Sequence, residues 1–312
     1  MASAVHLPTI SILIVNYRST PLLRRCLASI GRSTVLRQTH TIVVDNVSPG
    51  FSAPELEAAF GWATFLPQPT NLTFTGGTNL AFEHATGDYV LLLNPDTELE
   101  PGALESALAH FQERPEMAAI SGYLLNDDGT LQRYYRRLPT AGDVPVMLMG
   151  RLFRHTPRGR RYLMQGESFV GATAVEQPPG ACLLVPRHVV DRVLLDPVFF
   201  NYGSDVELCA RLLARGPIMV FDDVRCRHRR GGAGVHTSEV GERLRLAHDL
   251  TWGIRRLFRH TSRLERLYVE FWLWVFWLGR IGQAFIRRPG SIGLGVSTAR
   301  RALAGQPPVY EW

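Results

Sequence analysis

Residues 89–96 read Tyr-Val-Leu-Leu-Leu-Asn-Pro-Asp. A short apolar run that stops at an amide, a proline and an acid is the pattern of a strand buried on both faces, with polar groups at its carboxyl end. The pattern recurs upstream, where Ile10–Val15 (ISILIV) runs into Asn16-Tyr17-Arg18 and Thr41–Val44 runs into Asp45-Asn46. Ala63–Leu66 reads as a further strand. Helices fill the gaps. Pro21 opens one with Leu22, Leu23, Cys26, Leu27 and Ile30 at helical spacing, Thr78–Thr86 reads as a short helix closed by Gly87, and Pro101 starts Ala103–Glu113. This alternation predicts an α/β fold, a mainly parallel sheet with helices on both faces.

In an open sheet of that kind the ligand sits outside the carboxyl ends of the strands. Asn16-Tyr17-Arg18, Asp45-Asn46 and Asn94-Pro95-Asp96 all fall there. A helix cap or Asx turn would account for any one of them alone. Their convergence on one edge points to a polar ligand.

The second half is less regular. Asn126-Asp127-Asp128-Gly129 reads as a hairpin turn, and Arg133, Arg136 and Arg137 form a small basic cluster. The Pro- and Gly-containing stretch that follows, to about Gly166, reads as a mobile loop. Gly180–Pro186 is a buried strand, Asp205–Arg215 an amphipathic helix with acids in its first turn, and Ile218–Phe221 a last strand.

All 34 residues of the Lys+Arg count are Arg, so lysine-based Schiff-base, phosphate-loop and general-base chemistry is excluded. Residues 1–224 are slightly acidic, whereas 225–301 hold 16 Arg against 5 acids and account for the +6 net charge. The four cysteines lie far apart with no CxxC pair, which predicts buried reduced thiols. The opening MASAVHLPT has no basic region and no long apolar segment, so no signal peptide is expected. Four of the six Trp lie between 252 and 277, and Phe271–Leu278 (FWLWVFWL) is wholly apolar. Arg263, Arg266, Arg280, Arg287 and Arg288 flank it, as suits a helix lying in a membrane interface. The alternative for residues 267–286 is a core or homodimer helix.

Several ordered blocks together resemble a family 2 glycosyltransferase of the GT-A fold, in the bacterial rhamnosyltransferase-like branch. They are Val15-Asn16-Tyr17, Val43-Val44-Asp45-Asn46, Asn71-Leu72-Thr73-Phe74 with Gly76-Gly77 and Asn79, Gly87-Asp88-Tyr89 and Leu93-Asn94-Pro95-Asp96. Asp128-Gly129-Thr130-Leu131-Gln132, Pro179-Gly180-Ala181-Cys182, Phe199-Phe200 through Asp205, and His228 with Gly231-Gly232 complete the set.

The resemblance implies a catalytic domain over residues 1–235, followed by a basic, Trp-rich helical extension over 236–312. It implies a nucleotide-sugar donor held by Asn16, Tyr17, Arg18, Asp45, Asn71, Gly76, Gly77, Asn79, Asn94 and Asp96, with Gly76 and Gly77 letting backbone approach the diphosphate. Asp96 matches the last acid of the family's Asp-X-Asp metal motif, and Asn94 stands in place of the first. His228 matches a further metal or diphosphate contact, and its neighbours Arg227, Arg229 and Arg230 suit phosphate neutralisation. Oxygen ligands imply Mg²⁺ or Mn²⁺. Asp205 matches the general base of an inverting transfer, although Ser204 replaces the acid that commonly precedes it, and Glu207 is the reserve candidate. Gly180 and Ala181 match the floor beneath the acceptor.

The expected activity is transfer of a sugar, such as rhamnose from dTDP-rhamnose, to a lipid-linked or polysaccharide acceptor of the cell envelope. The expected location is the cytoplasmic face of the membrane, touched through residues 250–288. No Gln-X-X-Arg-Trp motif occurs, which favours addition of a single residue. Two other classes fit less of the sequence. A sugar-nucleotide nucleotidyltransferase would normally open with a Gly-rich phosphate loop and use a Lys. A non-catalytic basic adaptor for membrane or nucleic acid would have no need of the carboxylates.

Overall fold

The computed structural model describes residues 8–229, 240–287 and 292–310. Residues 1–7, Arg230, Gly231-Gly232 and Arg288, which figure in the sequence reading, lie outside the described residues.

Strands β1 (Ile10–Asn16), β2 (Thr39–Asp45), β3 (Ala63–Pro67) and β4 (Tyr89–Leu93) form the parallel half of a nine-stranded sheet, in the order β3-β2-β1-β4. Helices α1 (Thr20–Ile30), α2 (Ala53–Ala59), α3 (Thr73–Glu83) and α4 (Ala103–Glu113) accompany them, with a short strand β5 (Thr97–Leu99) after β4. Ile10, Ile12 and Ile14 enter one core while Leu13, Ile42 and Val44 enter another on the opposite face. Both faces are therefore buried, which explains the continuous apolar runs.

The other half of the sheet is mixed. It contains β6 (Ala119–Leu125), β7 (Ala172–Val175), β8 (Cys182–Pro186) and β9 (Ile218–His228). β8 runs antiparallel to both β4 and β6, and β9 is parallel to β6 but antiparallel to β5 and β7. β9 continues seven residues past the expected end at Phe221, and this carries His228 to the edge beside β5.

Two expectations change. α3 begins at Thr73 instead of Thr78, because Asn71 Oδ1 accepts the Thr73 N–H (2.7 Å) and the Asn46 amide bonds the Leu72 N–H and the Thr73 carbonyl. Gly76 and Gly77 thus lie within the helix, not in a loop. A Cβ on Gly77 would stand 2.9 Å from Val15 Cγ1, so this glycine sets how closely α3 packs on β1. The stretch to Gly166 is also ordered, as α5 (Val144–Phe153) and α6 (Pro157–Tyr162). A Thr140–Asp143 capping box precedes α5, and the Thr156 hydroxyl caps α6 by accepting the Gly159 N–H.

α7 (Ser204–Leu213) follows a left-handed Gly203. Beyond β9 the chain forms α8 (Val240–Leu257), α9 (Arg263–Arg287) and α10 (Ile292–Leu303). These three share a third core with Ala141, Val144 and Leu148, so the extension packs on the segment leading into α5. α8 also presses on residues 198–202. The Trp252 indole N–H donates to the Val198 carbonyl (2.7 Å), the Tyr202 N–H donates to Asp249 (2.9 Å), and a Cβ on Gly253 would collide with the Tyr202 backbone carbonyl oxygen. The four cysteines are buried free thiols, as expected. No described helix is long and apolar enough to cross a membrane.

Candidate active site

The parallel strands end where the sequence places its polar residues. Asn16 and Asp45 are register partners on β1 and β2, and the Asn16 amide donates to Asp45 Oδ1 (2.7 Å) and Ser48 Oγ (3.0 Å). The Ser48 N–H donates to Asp45 Oδ2 (2.9 Å), and the Arg18 N–H donates to Ser48 Oγ (2.9 Å). Asn16, Asp45 and Ser48 therefore form a buried frame that presents Tyr17 and the exposed Arg18 at the sheet edge. Tyr17 is not held by this loop alone. Arg245 of α8 lies near enough to act on its hydroxyl, and burial raises its pKa against the pull of Arg18 and Arg245.

Asn71 and Asn79 are employed differently. Asn71 starts α3, and Asn79 exchanges two hydrogen bonds with the backbone of Leu195 (2.8 and 2.9 Å). Both therefore order the loops around the edge.

Asp96 lies in the turn after β4. That turn is held by the Asn94 N–H donating to the Ala181 carbonyl (2.9 Å) and the Thr97 N–H donating to the Asn94 carbonyl (3.0 Å). β5–β9 pairing sets Thr97 opposite His228, which brings His228 Nε2 to 3.5 Å from Asp96 Oδ1. The same Oδ1 is buried with no hydrogen-bond partner. Gln132 fixes the imidazole. Its Nε2 donates to the His228 carbonyl (2.6 Å), which turns its Oε1 onto His228 Nδ1 (2.9 Å). Nδ1 is then the donor, and in the neutral ring the Nε2 lone pair points toward Asp96, the arrangement common to metal-binding histidines. The two ligands fit a divalent cation. Among the described residues no cluster of three His, Cys, Asp or Glu side chains could hold a metal, so the remaining ligands would come from bound substrate and water.

Arg227 and Arg229 point away from His228, as alternation along a strand requires. Arg227 pairs with Glu100 (3.1 Å), and Arg229 pairs with Glu98 (3.3 Å) and Asp127 (3.6 Å). Their charge is answered locally by these carboxylates.

Asp205 occupies the first turn of α7, where the Val206 N–H donates to its Oδ1 (2.9 Å). A Cβ on Gly180 would be 3.7 Å from the Asp205 Cβ, and neighbouring Ala181 carries the carbonyl that anchors Asn94. The Gly180-Ala181 pair thus links the Asp96 turn to Asp205. Burial pushes the Asp205 carboxyl above the usual carboxylate range, opposed by the Val206 N–H and by the Arg136 guanidinium. Arg136 stands with its Cζ 5.9 Å from the Tyr162 ring centroid, and Tyr202 shares its field. Glu207 is engaged by Arg211 in a two-point ion pair (2.8 and 3.0 Å), which leaves Asp205 as the available carboxylate of this turn.

Gln132, Arg136 and Arg245 were not singled out as site residues from sequence. Gln132 stood in a recognised block and Arg136 in a basic cluster, whereas Arg245 had no distinguishing signal.

The family model for glycosyl transferase family 2 matches residues 11–174. Two relatives from Mycobacterium tuberculosis, strains CDC 1551 / Oshkosh and ATCC 25618 / H37Rv, are each named N-acetylglucosaminyl-diphospho-decaprenol L-rhamnosyltransferase. Each is 26% identical over 228 residues, spanning 67% of this chain and 72% of the relative. Among solved structures, mannosyltransferase PcManGT from Pyrobaculum calidifontis, in complex with GDP-Man and Mn²⁺, superposes with a TM-score of 0.52 at 15% identity, over 95% of this chain and 81% of its own. GalNAc-T7 with UDP, GalNAc and Mn²⁺ gives 0.54 at 13% identity, over 83% of this chain and 52% of that one. The structural likeness shows the shared GT-A fold. With the family model matching more than half of the chain, the protein belongs to glycosyl transferase family 2.

Proposed function

We propose that this glycosyltransferase adds one sugar, with inversion, to a hydroxyl of a lipid-linked acceptor in cell-envelope glycan synthesis. Rhamnose is the sugar suggested by the mycobacterial relatives' name, and dTDP-rhamnose is the donor implied by the sequence resemblance. The observation that carries the reading is the pairing of the partnerless Asp96 oxygen with His228 at one end of the Gly180-Ala181 link and a burial-raised carboxylate, Asp205, at the other. An inverting displacement needs these two centres, one for the departing diphosphate and one for the incoming hydroxyl.

In this reading Asn16, Asp45 and Ser48 set the loop that receives the nucleotide, with Tyr17, Arg18 and Asn94 facing it and Asn71, Gly76, Gly77 and Asn79 ordering α3 behind it. Asp96 and His228 would hold Mg²⁺ or Mn²⁺. When bound, the ion supplies positive charge to the leaving diphosphate. Asp205 takes the acceptor hydroxyl's proton on its carboxylate as the oxygen attacks the sugar, and Gly180 and Ala181 leave room for the acceptor ring. Residues 1–235 form the catalytic domain, and the extension over 236–312 braces it and rests peripherally on the cytoplasmic face of the membrane.

The test is Asp205→Asn with a panel of sugar nucleotides. Transfer should fall by at least a hundredfold, on the order of general-base catalysis, while Mn²⁺-dependent stabilisation by the cognate donor persists. Retention of most of the rate would remove Asp205 from the mechanism.

A further inference from the structure

Helix α9 is apolar on two opposite sides. Val269, Leu273, Phe276 and Trp277 are buried in the third core. The reverse side carries Leu264, Leu267, Tyr268, Phe271, Trp274 and Leu278, all exposed, with Leu264 at 78% and Trp274 at 52%. At 100° per residue these six fall within one arc, and the charged residues Glu265, Arg266, Glu270 and Arg280 fall outside it. Arg255 grips Glu270 at two points (2.6 and 2.7 Å), and the inward side is packed, so the helix cannot roll its outer strip under cover.

A second feature adjoins this strip. Residues 144–166 contain five arginines and no acid. Arg151, Arg154, Arg158, Arg160 and Arg161 are all exposed, as is Leu152. Among the described residues only Arg158 meets a carboxylate, Asp143 at 3.7 Å. The Phe153 ring lies edge-on to Trp272 (5.4 Å), and Trp272 in turn touches Phe271 (5.4 Å) and Tyr268 (6.2 Å). An aromatic chain therefore joins the arginine-bearing helices to the outer strip.

We propose that the outer strip of α9 and the α5–α6 arginines form a single face that docks on the anionic surface of a phospholipid bilayer. Aromatic and aliphatic side chains enter the headgroup boundary while guanidinium groups beside them meet lipid phosphates. Charge decides against a second copy of the chain as the occupant. A two-fold contact would gather ten guanidinium groups from two copies of residues 151–161, with no acid in that segment to answer them. The face also lies close to the acceptor side, because α6 ends in buried Tyr162, against Arg136 and near Asp205. An acceptor anchored in the same bilayer would thus reach the base over α6. That purpose rests on the proposed lipid-linked acceptor, whereas the docking does not.

Vesicle co-sedimentation of the full chain separates the two. Phosphatidylcholine vesicles containing phosphatidylglycerol should bind it, pure phosphatidylcholine vesicles should bind far less, and added salt should release it. A combined Arg151→Gln, Arg154→Gln, Arg161→Gln variant should lose about fivefold per arginine, on the order of a hundredfold in all. Phe271→Ser with Trp274→Ser should also detach. Both variants should keep transfer to a water-soluble, short-chain acceptor, so an inactive enzyme would count against the proposed reaction and not against docking. Vesicle binding that ignores the arginine changes, or a chain that ignores vesicles and forms a dimer broken by the Phe271/Trp274 changes, would overturn the proposal.

Discussion

Gln132 and His228, 96 residues apart, are locked by two hydrogen bonds, one to the carbonyl of His228 and one to its Nδ1. The first orients the amide, and the second therefore decides the imidazole tautomer. In the neutral ring Nε2 is then the nitrogen with the lone pair, on the side facing Asp96. Gln132→Leu keeps the volume and removes both bonds. It should weaken Mn²⁺ binding by about 10- to 100-fold, read by calorimetry in the presence of nucleotide diphosphate, with the fold retained. Unchanged affinity would mean that His228 is not a ligand.

Asp205 acts as a base only when ionised, and burial raises its pKa. The acid limb of kcat/KM should therefore lie above the ordinary carboxylate range, with activity rising as pH rises through it. Arg136 holds that pKa down from nearby. Arg136→Gln removes the opposing charge, so the limb should move to higher pH. A profile that stays in place while kcat falls would assign Arg136 a purely structural part.

Asp249 accepts the Tyr202 N–H but is buried, and burial raises its pKa to about 6. A carboxyl with a raised folded pKa binds its proton more readily in the folded chain. Its contribution to stability is complete below the unfolded value near 4 and is lost as pH rises through about 6. At pH 7.5 the ionised group costs on the order of 3 kcal/mol. Asp249→Asn, which can still accept from Tyr202, should raise the melting temperature at pH 7.5 by a few degrees and flatten the fall between pH 4 and 7. Parallel melting curves for the two chains across that range would refute this.

Gly253 lies where α8 crosses the Tyr202 backbone, with no room for a methyl group. Gly253→Ala should cost about 1–3 kcal/mol, as overpacking does, by lifting α8 from residues 198–202. Because Arg245 on the same helix meets Tyr17, donor affinity should fall together with stability. A denaturant melt paired with nucleotide titration checks both. A loss of stability alone would separate α8 from the donor loop.

The parallel half of the sheet was legible because β1, β2 and β4 are buried on both faces, so their apolar runs are unbroken. β6 and β9 were harder to read. Ser121 and Gly122 interrupt β6, and β9 alternates buried Val224 and Cys226 with exposed Asp223, Arg225 and Arg227, so its second half resembles a polar loop. That missing half carries His228, and the sequence reading therefore had the residue without the partner strand that positions it. α5 and α6 read as a mobile loop because their prolines start helices here, at Pro145 and Pro157, and a proline among glycines signals either a break or a first helical turn. The ligand-side acids were legible as strand ends. Gln132 and Arg245 were not, since each acts through a contact with a residue distant in sequence.

Asn201 gives the fold a kinetic consequence. Its carbonyl oxygen Oδ1 receives the Phe74 N–H, its amide meets Tyr310, and the peptide after it is fastened by Asp249. These contacts join segments 127 and 109 positions apart, so closing them demands large chain loops that local helices never need. In refolding, the parallel half of the sheet, β1 to β4, whose pairings close shorter loops, should become protected from hydrogen exchange well before the 199–205 turn. Catalytic competence would then lag behind compactness, with Asp205 among the last groups to reach its place.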